Sequence, residues 1–349
     1  MLKLSKKHVQ DIQSADCLTA LFPLVQNAIE LEHATIPPYL TAMFSLKPGK
    51  EREIWHIIHS IVIEEMMHMT IAANILNALG GTPDINHPAF VPNYPTPLPM
   101  GIGTGLIVTL SKYSRDQVKN VFMEIEEPEN PISFPVNMAM KASVPDFHTI
   151  GEFYEALKAK INQIAPDELP GDPNLQVISP YYPSDLLFPI LTKQNAMDAI
   201  DIIVEQGEGT ETLPIDPEGE VAHYYKFEEL YIGKRLVKDP SVPQGYSFSG
   251  ANIPFDPDNV QPIFPDTKSY LFAIGSEERR RCDEFNHSYQ LLLNALHGTF
   301  NGQPDTLGDA IGIMIDVKLR GEKICAMPFP GKPNTTIGPP FEFYKPMVV

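Results

Sequence analysis

The sequence predicts a mainly α protein: a four-helix bundle with additional helices and long, ordered, proline-rich loops. Three observations carry this expectation. Apolar residues recur at three- and four-residue steps through several long runs, the signature of amphipathic helices. Two of the runs contain Glu-x-x-His pairs, Glu65-Met-Met-His68 and Glu220-Val-Ala-His223. The chain also has 35 prolines in 349 residues, about twice the ordinary ~5%. Most fall between the apolar runs and imply stiff connections rather than a bare bundle.

The first expected bundle helix spans about 16–46, where Leu18, Leu21, Val25, Ile29, Ile36, Leu40 and Met43 share a face. Pro37-Pro38 interrupts it, and their missing amides must free carbonyls one turn back, near His33 and Ala34, with a kink just past Glu32. Lys47-Pro-Gly-Lys50 makes a tight break. A second helix follows over about 51–79, ended by Gly80-Gly81. Residues 82–111 are rich in proline and turn residues, with a strand-like patch at Leu106–Leu110, and read as a covering excursion.

The capping-box patterns Ser114-x-x-Gln117 and Thr149-x-x-Glu152 start accessory helices at about 115–126 and 150–164. A second hairpin is expected from helices at about 193–206 and 220–238, around a Gly- and Pro-containing loop from Gly207 to Gly219. Two further accessory helices, at about 276–297 and 306–326, complete the layer. No composition shift divides the chain, so residues 1–349 are expected to form one domain.

Composition narrows the function classes. With 43% hydrophobic and 20% charged residues, the chain has the balance of a folded, soluble protein. Its net charge of −18 should repel nucleic acid and anionic lipid. Cys17, Cys282 and Cys325 are far apart, without the spacing of a thiolate metal site or a disulfide framework. No run approaches the ~20 apolar residues of a membrane span. The expected location is the cytoplasm, with no nucleic-acid or membrane partner; a homo-oligomer is compatible with the sequence.

Glu and His three residues apart project from one helix face, so one helix can offer a carboxylate and an imidazole to the same ion. Two such helices, each beside a helix bringing one more Glu, make the di-iron or di-manganese carboxylate arrangement. Glu32 and Glu65 are equally distant from the centre of the first turn, so they should stand level in an antiparallel pair. Glu205 and Glu220 are likewise symmetric about the second loop. The expected metal ligands are therefore Glu32, Glu65, His68, Glu205, Glu220 and His223.

Several residues compete with this set. Glu64 can face His68 as Glu65 does; Asp198, Asp201 and Glu208 compete with Glu205; Glu284-Phe-Asn-His287 is a third match on a later helix. His56 and His59 read as packing residues. Tyr39, two turns from Glu32, is a candidate catalytic phenol that could donate a hydrogen bond or shuttle a proton. Phe227 reads as ordinary core.

The segments Leu31-Glu-His-Ala-Thr-Ile-Pro-Pro-Tyr-Leu40, Glu64-Glu-Met-Met-His68, Val204-Glu-Gln-Gly-Glu-Gly209 and His223-Tyr-Tyr-Lys-Phe-Glu228 resemble the ferritin-like domain of the iminophenyl-pyruvate dimer synthases of bisindole pigment biosynthesis, and of related stand-alone bacterial proteins. The later Phe285-Asn-His-Ser-Tyr289, Phe300-Asn-Gly302 and Gly338-Pro-Pro-Phe341 look like the same family's C-terminal part. The resemblance implies a ferritin-like fold and a metal-linked oxidative function. Glu32, Glu65, His68, Glu205, Glu220 and His223 fall on its motif positions.

The expected activity is a non-haem dinuclear metal oxidase or oxygenase, with dioxygen and a small organic substrate such as an imino or aromatic acid as partners. Carboxylate and imidazole donors suit iron, and are also compatible with manganese or zinc. The substrate is expected to enter under the 82–111 excursion. The alternative is a non-enzymatic metal-binding or iron-storage protein, which needs little beyond a compact bundle.

Overall fold

Two long antiparallel helices form the spine, α1 (Phe22–Ser45) and α2 (Arg52–Ala78). The computed structural model describes residues 11–101, 105–128, 132, 150–207, 213–216 and 219–344. Thr149 of the second capping box, Glu208 and most of the Gly207–Gly219 loop lie outside them. Pro23 occupies the first turn of α1, where a missing amide costs nothing. The turn to α2 uses left-handed backbone at Gly49 (φ 76°), and α2 stops before Gly80 (φ 89°).

Helix α1 stays helical through Pro37 and Pro38. The carbonyl of Ala34, which Pro38 cannot serve, instead accepts a 2.7 Å hydrogen bond from the buried Tyr94 hydroxyl. Tyr94 belongs to the 82–111 excursion, whose described residues are tied by a Thr96–Val108 bridge and by Leu110 to Asp266.

Helix α3, residues 115–125, is capped by Ser114, whose Oγ accepts from the Gln117 amide at 3.0 Å. Its middle, Val118–Phe122, is a π-turn, a local widening often found at functional sites. Helices α4 (Ile150–Ile164), α5 (Lys193–Gly207) and α6 (His223–Ile232) follow. Helix α6 starts three residues later than expected, with Ala222 as its cap, and ends at Gly233 (φ 83°). A two-residue hairpin, Val237–Lys238 with Tyr246–Ser247, is the paired-strand element among the described residues.

Helices α7 (Glu277–Phe300) and α8 (Leu307–Cys325) pack together and against α1. Ser276 caps α7 through the Arg279 amide, with Glu277 and Glu278 in the favoured first turn. No described helix is long and apolar enough to cross a membrane.

Gly321 lets α8 approach α1 closely, because a Cβ there would lie 2.4 Å from the Phe44 ring. Gly321→Val should therefore force the helices apart and cost about 1–3 kcal/mol, the usual range for overpacking. Thermal denaturation of the variant checks this, and an unchanged midpoint would show the crossing to be loose.

Candidate metal centre

The centre is built where α1, α2, α3 and α6 converge. Glu32 projects from α1 and Glu65 and His68 from α2, with 6%, 2% and 1% exposure. Glu126 caps the C-terminus of α3, and His223 opens α6 at 0% exposure. Two clusters result, Glu32–Glu65–His68 and Glu65–Glu126–His223, each with donor atoms mutually within 4.8 Å. Glu65 is common to both.

The distances show how Glu65 is shared. Its Oε1 lies 2.8 Å from His223 Nδ1 and 3.8 Å from His68 Nδ1. Its Oε2 is held by the Thr35 hydroxyl at 2.7 Å. Glu32 Oε2 lies 3.7 Å from His68 Nδ1, and its Oε1 accepts from Tyr154 of α4. Glu126 Oε2 lies 3.7 Å from His223 Nδ1, while its Oε1 accepts from the Tyr39 hydroxyl at 2.5 Å. The two imidazoles stack at 5.5 Å between centroids.

Outer partners fix both rings. His68 Nε2 pairs with Gln206 Oε1 of α5 at 2.9 Å, and His223 Nε2 with Glu64 Oε2 at 2.7 Å. Lys226, on the same helix as His223, closes on both Glu64 oxygens at 2.8 and 2.9 Å. In each ring Nε2 is occupied and Nδ1 faces the centre, the orientation that prepares an imidazole to bind metal.

The electrostatics are those of a site short of positive charge. Burial, then the charge of Glu126, pushes Glu65 up to about 7 against the pull of His223. Burial works against protonation of His68 and His223, yet the surrounding carboxylates hold both pKa values above the ordinary range, that of His223 well above. Glu64 is the opposite case: despite burial, His223 and Lys226 hold it down to about 2.

The residues fit a metal. Three buried carboxylates this close need a cation, because burying unpaired charge is costly. His223 Nδ1 lies 2.8 Å from Glu65 Oε1 and 3.7 Å from Glu126 Oε2, yet it makes no hydrogen bond. Such donors face a common point rather than each other. A cavity of about 40 Å³ is bordered by Glu32, Glu65, His68, Glu126, Tyr154 and Gly207. That is room for ions and a few waters.

The ferritin-like family model matches residues 25–232, more than half of the chain, a range that includes Glu32, Glu65, His68, Glu126 and His223. The chain belongs to the ferritin-like family. Its backbone is similar to that of a ferritin-like protein from Caulobacter vibrioides, with a TM-score of 0.53 and 23% identity over 86% of this chain and 95% of that one. That likeness speaks to the fold. No curated protein matches the sequence.

Within this ferritin-like arrangement, the structure brings Glu32, Glu65, His68 and His223 together as the sequence suggested, but it does not bring Glu205 or Glu220 to them. Glu205 lies exposed on α5 and Glu220 exposed before α6. The Glu-x-x-His geometry requires a helix, and residues 219–222 are not helical, so Glu220 cannot share a face with His223. Glu126 stands in the place expected of Glu205, and α3, read as accessory, supplies it.

The competing residues find other roles. Glu64 faces outward from the centre, holding His223 Nε2 rather than His68. Glu284 is engaged by Arg280, Arg281 and Arg320, and His287 lies against Tyr344. Phe227 is fully buried beside Tyr39. No described residue of 82–111 borders the small cavity, so the expected approach of substrate beneath that excursion has no support in the geometry. Among the described residues that border the cavity, Val204 and Gly207 of α5, both half-buried, form the side nearest solvent.

Proposed function

We propose that this ferritin-like protein is a dinuclear non-haem metal oxidase or oxygenase, with iron as the metal, acting on a small organic substrate. The observation that carries the reading is the single carboxylate, Glu65, common to two carboxylate–imidazole clusters. Glu32 and His68 would hold one ion, Glu126 and His223 the other, and Glu65 would bridge them. Such a pair supplies reducing electrons and open coordination positions to dioxygen when bound. The oxygen- and nitrogen-only donor set suits iron, with manganese or zinc as competitors.

The chain's own residues define what surrounds that chemistry. Tyr39 holds Glu126 Oε1 and Tyr154 holds Glu32 Oε1, which fixes the outer carboxylates and leaves their second oxygens for the centre. Burial first, then Glu126, Glu65 and Glu32, raises the Tyr39 pKa well above its ordinary value, so its hydroxyl keeps its proton and acts as a donor. Tyr39, Phe122 and Phe227 pack ring against ring and exclude water from that side. We assign substrate approach to the α5 side, where Val204 and Gly207 border the cavity. Imino and aromatic acids are the first substrates to test, on the resemblance to the dimer-synthase domain.

Metal analysis after anaerobic iron loading tests the centre. The parent should hold about two ions per chain, and His68→Ala and His223→Ala should each lose at least one. Parental stoichiometry in both variants would overturn the site. Oxygen uptake by the loaded protein should rise on adding imino or aromatic acids; iron accumulating far beyond two ions per chain would instead mark storage.

A further inference from the structure

A second cavity lies on the opposite side of the α1–α2 pair, between it and α7–α8. Its volume is about 350 Å³, and none of the described residues around it borders the metal centre. Its walls are chiefly Leu, Ile, Met and Phe from the four helices, such as Leu40, Met66, Leu293 and Ile311. Close-packed interiors rarely keep so large an apolar void, because unfilled volume forfeits packing on every side. The size falls among ligand cavities of about 300–1,000 Å³.

The charge pattern around it is one-sided. The mouth is marked by the exposed Ile63, Ile315 and Tyr181. Lys318, one helical turn from Ile315, and His59, one turn from Ile63, stand at the same opening. Among the described residues, Lys318 is the one Lys, Arg, Asp or Glu around the cavity. Its ammonium lies 3.1 Å from Glu322 Oε1 and 5.6 Å from the centre of the Trp55 ring, and with three donors it has capacity for a further acceptor. Deeper in, His33 is buried and its Nε2 pairs with the Tyr289 hydroxyl at 2.6 Å. The wall from His59 to Thr70 runs along about 16 Å of helix, at ~1.5 Å per residue.

We infer that this cavity binds a medium-chain aliphatic carboxylate, its chain laid between α2 and α7–α8 and its carboxylate paired with Lys318 at the mouth. An elongated apolar space with a single cation at its open end matches an amphiphile with one anionic head. The inference does not rest on the metal reading.

Calorimetric titration of the full chain with dodecanoate, and with dodecanol as the uncharged comparison, tests it. Saturable binding of about one dodecanoate per chain is expected, in the micromolar range. Ile311→Trp and Met314→Phe, each filling the interior, should weaken it at least about tenfold while iron content stays parental. Placing the filling substitution at two positions guards against one variant failing to fold. Lys318→Gln should weaken dodecanoate about tenfold and leave dodecanol unchanged. No saturable binding by the parent, or parental affinity in a folded filling variant, would overturn the site; equal effects of Lys318→Gln on both probes would overturn the head-group assignment.

Discussion

Glu65→Ala is expected to empty both metal positions, leaving well under about half an ion per chain where the parent holds about two. Each cluster loses its common carboxylate and keeps one Glu and one His. Replacing Glu126 with alanine should remove one ion and spare the other, since Glu126 belongs to one cluster. Glu205→Ala and Glu220→Ala, both at the surface, should leave the content at the parental level. Metal analysis of the desalted proteins separates these cases, and a full ion retained by Glu65→Ala would show that the carboxylate is not shared.

Stability should depend on pH with opposite slopes in the metal-free and metal-bound protein. Glu65 is raised from 4.5 to about 7, so its contribution is fully present below 4.5 and is lost as pH rises through about 7. His68 and His223 are raised above 6.5; their contributions are complete below that value and are lost as pH climbs through their higher folded values. All three push the same way. Glu64, held at about 2, contributes above 4.5 and loses its share as pH falls through about 2, outside the range of interest. Chelator-treated protein should therefore melt several degrees lower at about pH 8 than at about pH 5. Bound metal requires deprotonated ligands, so the loaded protein should gain stability over the same interval. Scanning calorimetry with and without chelator reads both slopes; a flat or rising midpoint in the metal-free protein would contradict the raised values.

Much of the fold was legible because periodicity and punctuation agree. Helix α2 was bounded by Pro48-Gly49 and Gly80-Gly81, α3 by Ser114, and α5 ended at Gly207. The first half of the centre was also legible, since equal distance from a tight turn puts Glu32 level with Glu65. The second half was not, for two physical reasons. Symmetry about a loop constrains height only if both arms are helical up to the residues compared, and the arm before His223 is irregular as far back as Glu220. Glu126 was obscured because the π-turn at Val118–Phe122 shifts the phase of α3, so its final face does not follow from a 3.6-residue period. A signal was present nonetheless: Glu126 closes a run in which Val118, Val121, Phe122 and Ile125 are all buried, an expensive place for a lone carboxylate.

The hydrogen bond from Tyr94 to the Ala34 carbonyl makes α1 structurally dependent on its proline-rich companion. A helix normally satisfies its own interior carbonyls, so its loops can be shortened or exchanged without touching it. Here one carbonyl, two residues beyond Glu32, is served from sixty positions away. A graft that carried α1 into another bundle without Tyr94 would leave that oxygen buried and unmet, at about 1–3 kcal/mol, beside the carboxylate the graft was meant to deliver. The prolines thus make the transplantability of this helix a property of the segment lying over it as well.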